Sequence, residues 1–481
     1  RDIADATALS KWPLPPGVET NKAPNRKVKH HLSGRCLPGI FMTIMRTGGW
    51  PVSHSRGSAN KGNVMEKQYD IVVWGATGYS GRPTALHLNQ FYARKGRLRM
   101  AVAARNADKL AQLKQELDNP EIDVLVCPGN DAAAAARIAR SARVVCSAVG
   151  PAAKWSTPMV DACIEHGTDF CDLSGELHWL RNMIDTRDAR ARQNNVLILN
   201  ATGVDSIPTE YGVKLLQEAA YKRFGEYCVQ IKGCFAHGHI SVAGGSFLSG
   251  KGVMEAIVDD PAMKDIISNP YSINPTGEID GNPHSPDLED VVYDEDFGQL
   301  IKPFPVGQIN ARVVRRAHAL AGYPYGRDFT YVECALAGNG WINRLKATAE
   351  TQAVAMFVNA NPRSFFGKLL MSMGPKEGDG PSDAQMLRNG PFGFVYFGRT
   401  KSGKVLRSWA TSPLDVHRAT AAMMAETAVF VASRRQSLLQ KGGFWTPGTA
   451  IGNALLEPLK DHRVIEFNVT EGEWPDIRIS S

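Results

Sequence analysis

The sequence has no apolar run of the ~18–20 residues that a membrane-spanning helix needs, so no transmembrane segment is expected. It also has no Cys-x-x-Cys pair. Its eight cysteines (36, 127, 146, 163, 171, 228, 234 and 334) mostly sit in apolar, strand-like stretches such as VLVCP and VVCSA. They read as buried free thiols, which suits an intracellular, reducing compartment. His237-Gly-His239 lacks a cysteine or carboxylate partner at ligand spacing, so no metal is expected. Acidic residues are scarce in one place only. Residues 1–64 hold three Asp/Glu against ten Lys/Arg and carry the whole net charge of +7. The remainder has 45 residues of each sign, which leaves no basic surplus for nucleic acid.

That first segment begins with Arg1, is rich in Pro, Gly, Ser and Asn, and shows no helical or strand period. A basic, acid-poor transit-like leader, a disordered tail, and upstream sequence outside the working protein all fit it. Met65 stands just before the first clear strand. Residues 1–64 are therefore treated as a disordered or non-native extension. A leader would direct the chain to a mitochondrion or another organelle. The stretch FFGKLLMSM (365–373) is read as a buried core helix, with contact to a membrane or lipid-droplet surface as the alternative.

From residue 69 the chain alternates short apolar strands with longer helices. Strands are expected at 69–74, 100–104, 123–127, 144–148, 169–172 and 196–200. Strands of four to six apolar residues separated by helices pair in parallel and are buried on both faces. This predicts an α/β fold, a doubly wound Rossmann sheet of about six strands, over residues 65–205. Later strands at 227–236, 329–337, 393–397 and 405–409 alternate, which points to an antiparallel sheet in a second, α+β domain over 206–414. The strongest single helix, 415–438, opens a C-terminal segment, 415–481, expected to pack back on the first domain.

The first strand runs into IVVWGATGYSGRP (71–83). A strand, a tight turn and a helix start gather free backbone N–H groups at one spot, and the helix dipole adds about half a positive charge. The fitting guest is a phosphate. Gly75 allows the turn, Gly78 allows close approach of a pyrophosphate, and Gly81 lets the helix lie against the strand. Thr77, Tyr79 and Ser80 complete the cradle. The second strand ends Ala-Ala-Arg105-Asn106 with no carboxylate to bond a ribose 2′-hydroxyl. Arg105 fits a 2′-phosphate instead, so NADP(H) is expected first and NAD(H) second. Asn106 also reads as a helix N-cap. The fourth strand ends in Ser-Ala-Val149-Gly150-Pro151, placed for the nicotinamide side. None of the twelve tyrosines has Lys four residues on, which argues against short-chain dehydrogenase chemistry.

Four motifs occur together: GATGYSG (75–81), AARNADKL (103–110), SAVGP with PMVDACIEHGTDFCDLSGE (158–176), and TGVDSIPTEYG (202–212). This set resembles the saccharopine dehydrogenase-like oxidoreductases, a group that includes trans-acting enoyl reductases of glycolipid synthesis. The likeness runs from about residue 69 to 212 and then thins to fragments such as GGFWTP (442–447). The chain departs from the family pattern at Ala152, at Gly244-Gly245-Ser246-Phe247 and at Ser412-Pro413-Leu414, all on the expected substrate side. The resemblance implies an NADPH-dependent reductase of a small-molecule, acyl or lipid-linked substrate, and leaves a homodimer open. Asp172, Glu176 and Asp205 are the catalytic candidates. Glu176 reads equally as a cap of its own helix, and Asp205-Ser206 as a helix-start device. Two other readings stand beside it: an amino-acid-forming, saccharopine-type dehydrogenase, and a nucleotide-binding protein of lipid surfaces without turnover.

Overall fold

The computed structural model describes residues 67–472 apart from 283, 377 and 439, so the expectations placed on 1–64 lie outside the described residues. The strands in chain order are β1 (Tyr69–Trp74), β2 (Met100–Ala104), β3 (Asp123–Val126), β4 (Ala142–Ser147), β5 (Asp169–Asp172), β6 (Leu197–Leu199) and β7 (Cys228–His237). They continue with β8 (Val292–Asp294), β9 (Gln299–Pro303), β10 (Thr330–Gly338), β11 (Phe392–Thr400), β12 (Val405–Ser412), β13 (Gly443–Trp445) and β14 (Glu466–Thr470). They form two seven-stranded sheets within one unit.

The first sheet has the order β13-β6-β5-β4-β1-β2-β3, with every pair parallel. Six of these strands, β1 to β6, form the doubly wound sheet the alternation predicts. The central strands are buried apart from Asp70 and Arg143 near their starts, with Ile71, Val72, Val73 and Val144 inaccessible to solvent. β3 differs from the expectation of burial on both faces. It is the sheet edge, and Val124 and Val126 are exposed there. The seventh strand arrives from the far end of the chain. Trp445 pairs with Leu199, and the Gly443 amide donates to the Val196 carbonyl.

The second sheet has the order β14-β12-β11-β7-β10-β9-β8. It is mixed rather than antiparallel throughout, because β7 and β10 run parallel. The hairpin β11–β12 turns at Lys401–Gly403, and Arg399 pairs with Val405. The parallel register sets Cys234 opposite Cys334, with Cα atoms 4.6 Å apart, and a disulfide joins them. This corrects the free-thiol reading for that pair. The partners lie 100 residues apart, so no local spacing announces the bond. Cys127, Cys146, Cys163, Cys171 and Cys228 are buried free thiols.

The helix Val416–Arg434 packs on β1, β4 and β5 and is buried along almost its whole length. Asp415 caps it by accepting from the His417 and Arg418 amides. At its middle, Glu426 is fully buried. Its Oε1 accepts from His87 Nε2 at 2.5 Å and His462 Nδ1 at 2.8 Å, and its Oε2 accepts from the Tyr92 hydroxyl at 2.5 Å. The two histidines hold the carboxyl down at about 2 despite its burial. His87, Glu426 and His462 are also the one group of metal-ligand type among the described residues. No described helix is long and apolar enough to cross a membrane.

Candidate functional site: a dinucleotide cradle and the carboxyl groups beside it

Trp74, the last residue of β1, pairs with Ala103 of β2 on one side and with Ser147 of β4 on the other. Ser147 pairs in turn with Asp172 of β5. The carboxyl ends of four adjacent strands therefore finish level. At the usual spacing of about 4.8 Å between strands, Asp172 lies about 10 Å from the end of β1. In open α/β sheets this edge is where ligands sit.

Gly75 follows β1 with φ of +83°, which disfavours a side chain, and a Cβ there would stand 2.8 Å from the Val149 side chain. A Cβ on Gly81 would come within 2.1 Å of the Gly75 carbonyl oxygen, so the first helix can lie this close only without one. The Gly78 amide donates to that carbonyl at 2.9 Å and closes the turn. The helix Gly81–Phe91 then begins with no side-chain cap at Ser80 and no acid in its first turn. Pro83 occupies that first turn, where its missing N–H leaves no helical bond unmade. An uncapped helix start behind a turn with three glycines in register is a place for a phosphate. The residues present fit a dinucleotide.

Thr77 and Ser80 lie within this turn, as expected. The Tyr79 ring meets His417 edge-on at 4.9 Å, and a Cβ on Gly380 would be 2.4 Å from it. Arg105 is exposed just past the end of β2, on the opposite side of β1 from β4. Asn106 caps the helix Ala107–Leu117 by accepting from the Lys109 amide at 2.8 Å. Val149 packs on Gly75, and a cis peptide joins Gly150 to Pro151.

Asp172 is 2% exposed. Its Oδ1 accepts from Asn200 Nδ2 at 2.9 Å and the Ser174 amide at 3.2 Å, while its Oδ2 is buried without a partner. Burial pushes its pKa up to about 7 against the bonds from Asn200 and the Ser174 and Ala201 backbone, and the Glu176 charge adds to the rise. Glu176 does not cap its own helix, as one of its two sequence readings had it. Its Oε1 accepts from the Ala152 amide at 2.6 Å and Ser249 Oγ at 2.9 Å, and its Oε2 from the Ala153 amide at 3.0 Å. It therefore caps the short helix Ala152–Trp155, which follows Pro151, rather than its own helix, and ties it to the helix Gly244–Asp259. A contact across 24 residues has no signature in the sequence. Beside Pro151 and Glu176 opens a cleft of about 400 Å³, also lined by Lys154, His178, Lys251 and Glu255.

Asp205 lies just ahead of the helix Ile207–Phe224, and burial raises its pKa to about 6. Ser206 stands at that helix's N-cap without a side-chain capping bond, its hydroxyl donating to the Ala201 carbonyl. The sequence reading missed the partner of this region. Glu333, on β10, is buried, accepts from Thr209 Oγ1 at 3.2 Å, Asn310 Nδ2 at 2.5 Å and the Tyr331 hydroxyl, and feels the Asp205 charge. Burial raises its pKa to about 7. Its signal was a lone acid inside the apolar run FTYVECALA.

Residues 71–199 match the family model described as the saccharopine dehydrogenase NADP binding domain. A trans-acting enoyl reductase of Mycobacterium leprae is 30% identical over 416 residues, covering 83% of this chain and 97% of that protein. A putative trans-acting enoyl reductase of Mycobacterium tuberculosis is 29% identical over 415 residues, covering 82% and 96%. Among solved structures, an apo saccharopine dehydrogenase (L-Glu forming) from Saccharomyces cerevisiae matches at 13% identity, covering 83% of this chain and 99% of that one with a TM-score of 0.45. With the glycine cradle, the unguarded end of β2 and relatives aligned over nearly their full length, the chain belongs to the saccharopine dehydrogenase-like oxidoreductases, and its cofactor is NADP(H).

Proposed function

We propose that the chain is an NADPH-dependent reductase of the carbon–carbon double bond of an α,β-unsaturated acyl or lipid-linked substrate. The observation that carries this reading is the cradle at Gly75–Gly81 with Arg105 beside it. Support for the substrate class comes from the enoyl reductases aligned over most of the chain. NADPH held in this cradle would supply the hydride, from C4 of its ring, that the β-carbon needs.

The protein's part is to place the substrate and to manage a proton. Asp172 sits at the level of the cradle with one oxygen unpartnered and a pKa near 7, so near neutral pH a large share of it is protonated. Its Oδ2–H is the group we assign to protonate the α-carbon, and solvent then restores the proton. One hydride and one proton turn the double bond into a saturated bond, and the carboxyl is left as it began. Glu176 is the positioning residue. It fixes the turn after Pro151 and the wall of the neighbouring cleft.

The test follows NADPH absorbance with 2-enoyl thioesters and, in parallel, with a cell lipid extract analysed by mass. Consumption of NADPH with a gain of two hydrogens in the product is the expected result. NADPH binding with no turnover on either set would instead favour a nucleotide-binding protein without catalysis. Oxidation of NADPH only with a 2-oxo acid and an amine would favour the amino-acid-forming reading.

A further inference from the structure

The stretch 365–373 is not the buried core helix expected of it. The helix Phe365–Ser372 buries only Gly367, and the preceding helix Trp341–Val358 buries only Ala347. Their large apolar side chains point outward: Phe365 is 88% exposed, Trp341 76%, Met373 75% and Leu345 64%. Each residue of a helix advances about 100° around its axis. Phe365, Phe366, Leu369 and Met373 thus share one face, roughly opposite the buried Gly367. Trp341, Ile342, Leu345 and Met356 do the same opposite Ala347. Two consecutive helices each carry an unpartnered apolar stripe turned away from the body, more than isolated exposed residues would explain.

The charges beside these stripes are of one sign. Arg344 and Lys346 fall on either edge of the first stripe, and Lys368 lies on an edge of the second. All three are exposed, and no acid among the described residues pairs with them. Glu350, the only acid between 341 and 373, is held by Lys302. Arg363, between the helices, pairs with Asp259 at 2.6 Å. An apolar face of Trp, Phe, Leu and Met rimmed by unpaired cations has the composition of a helix that lies in the boundary between lipid headgroups and acyl chains. A second copy is a poorer occupant. A two-fold contact through this face would set Lys368 and Arg344 against their own kind.

We infer that the helices Trp341–Val358 and Phe365–Ser372 form a docking surface for an anionic phospholipid layer, with the apolar stripes inserted and the flanking cations at the headgroups. This rests on exposure and charge alone and holds whether or not the chain turns over substrate.

Flotation of the full chain with vesicles tests it. Vesicles of phosphatidylcholine with a third phosphatidylglycerol should carry the protein up at low salt, and those of phosphatidylcholine alone at least fivefold less of it. The double variant Phe365→Asp/Leu369→Asp should lose flotation. Lys368→Glu should lower it several-fold while keeping the wild-type salt trend in what remains. All of these residues are exposed, so NADPH binding and the melting temperature should match wild type and serve as the folding control. The inference is overturned if the wild type floats with neither vesicle or equally with both, or if the Asp variant floats like the wild type. It is also overturned if light scattering shows a dimer that the Asp substitutions dissociate, which would make a second copy the occupant.

Discussion

At the scale of single residues, two carboxyl groups and one guanidinium carry distinct expectations. Glu426 is buried, which would raise its pKa, but His87 and His462 bring it down from 4.5 to about 2. A carboxyl depressed on folding stabilises the native state fully above its unfolded pKa, and that stability drains away as pH falls from about 4.5 towards 2. A shift of this size is worth on the order of 3 kcal/mol. Glu426→Gln should lower urea-unfolding stability at pH 7 by about 2–4 kcal/mol and flatten the acid limb of the stability curve. An unchanged limb would show that the two histidines do not hold this group. Asp172 has the opposite sign. Its raised pKa means the folded state prefers the acid, so its charge weakens the fold as pH rises from about 4 to 7. Asp172→Asn should therefore leave stability equal or improved while lowering turnover at least tenfold with little change in NADPH affinity. In the wild type, kcat should decline above about pH 7 as the proton is lost. Full activity in Asp172→Asn would move the proton to another group, and Glu333 is then the next to test. Arg105→Asp should reverse the cofactor preference, read as the ratio of NADPH to NADH affinity. An unmoved ratio would contradict the assignment.

At the scale of elements, the glycine turn works because three side chains are missing. Gly81→Ala would drive a methyl into the Gly75 carbonyl and lift the first helix off β1. It should cost about 1–3 kcal/mol of stability and at least tenfold in NADPH affinity, measured by thermal melting and fluorescence titration. Such elements were legible in the sequence because their causes are local. Strand, turn, cap and apolar period all lie within a few residues, as with Asn106 on the Lys109 amide. The hairpin β11–β12 was legible for the same reason. Glu176 on Ala152, the cystine 234–334 and the Glu426 cluster were not, since each is a meeting of residues that only the tertiary fold brings together. The helix 365–372 misled for a further reason. Its apolar period is the same whether the stripe meets a core or a lipid layer.

At the scale of the whole molecule, the chain does not fold as beads in order. The first sheet receives a helix (Val416–Arg434) and its seventh strand (β13) only after the second sheet is nearly complete. The last segment then returns to pair β14 with β12. This interleaving predicts one calorimetric unfolding transition for residues 65–481, not two, with a midpoint that rises when NADPH is added. Ligand at about one hundred times its dissociation constant adds about 2.7 kcal/mol. Two separable transitions, only one of them moved by NADPH, would show that the sheets unfold independently. The function depends on the first sheet, since the cradle, Arg105 and Asp172 all stand on its carboxyl edge. The measurement that bears on this most directly is calorimetric titration of the purified chain with NADPH and with NADH. Saturable heat with NADPH, and affinity for NADH at least tenfold weaker, is the predicted result. Absence of heat with both, or equal affinity for the two, would contradict it.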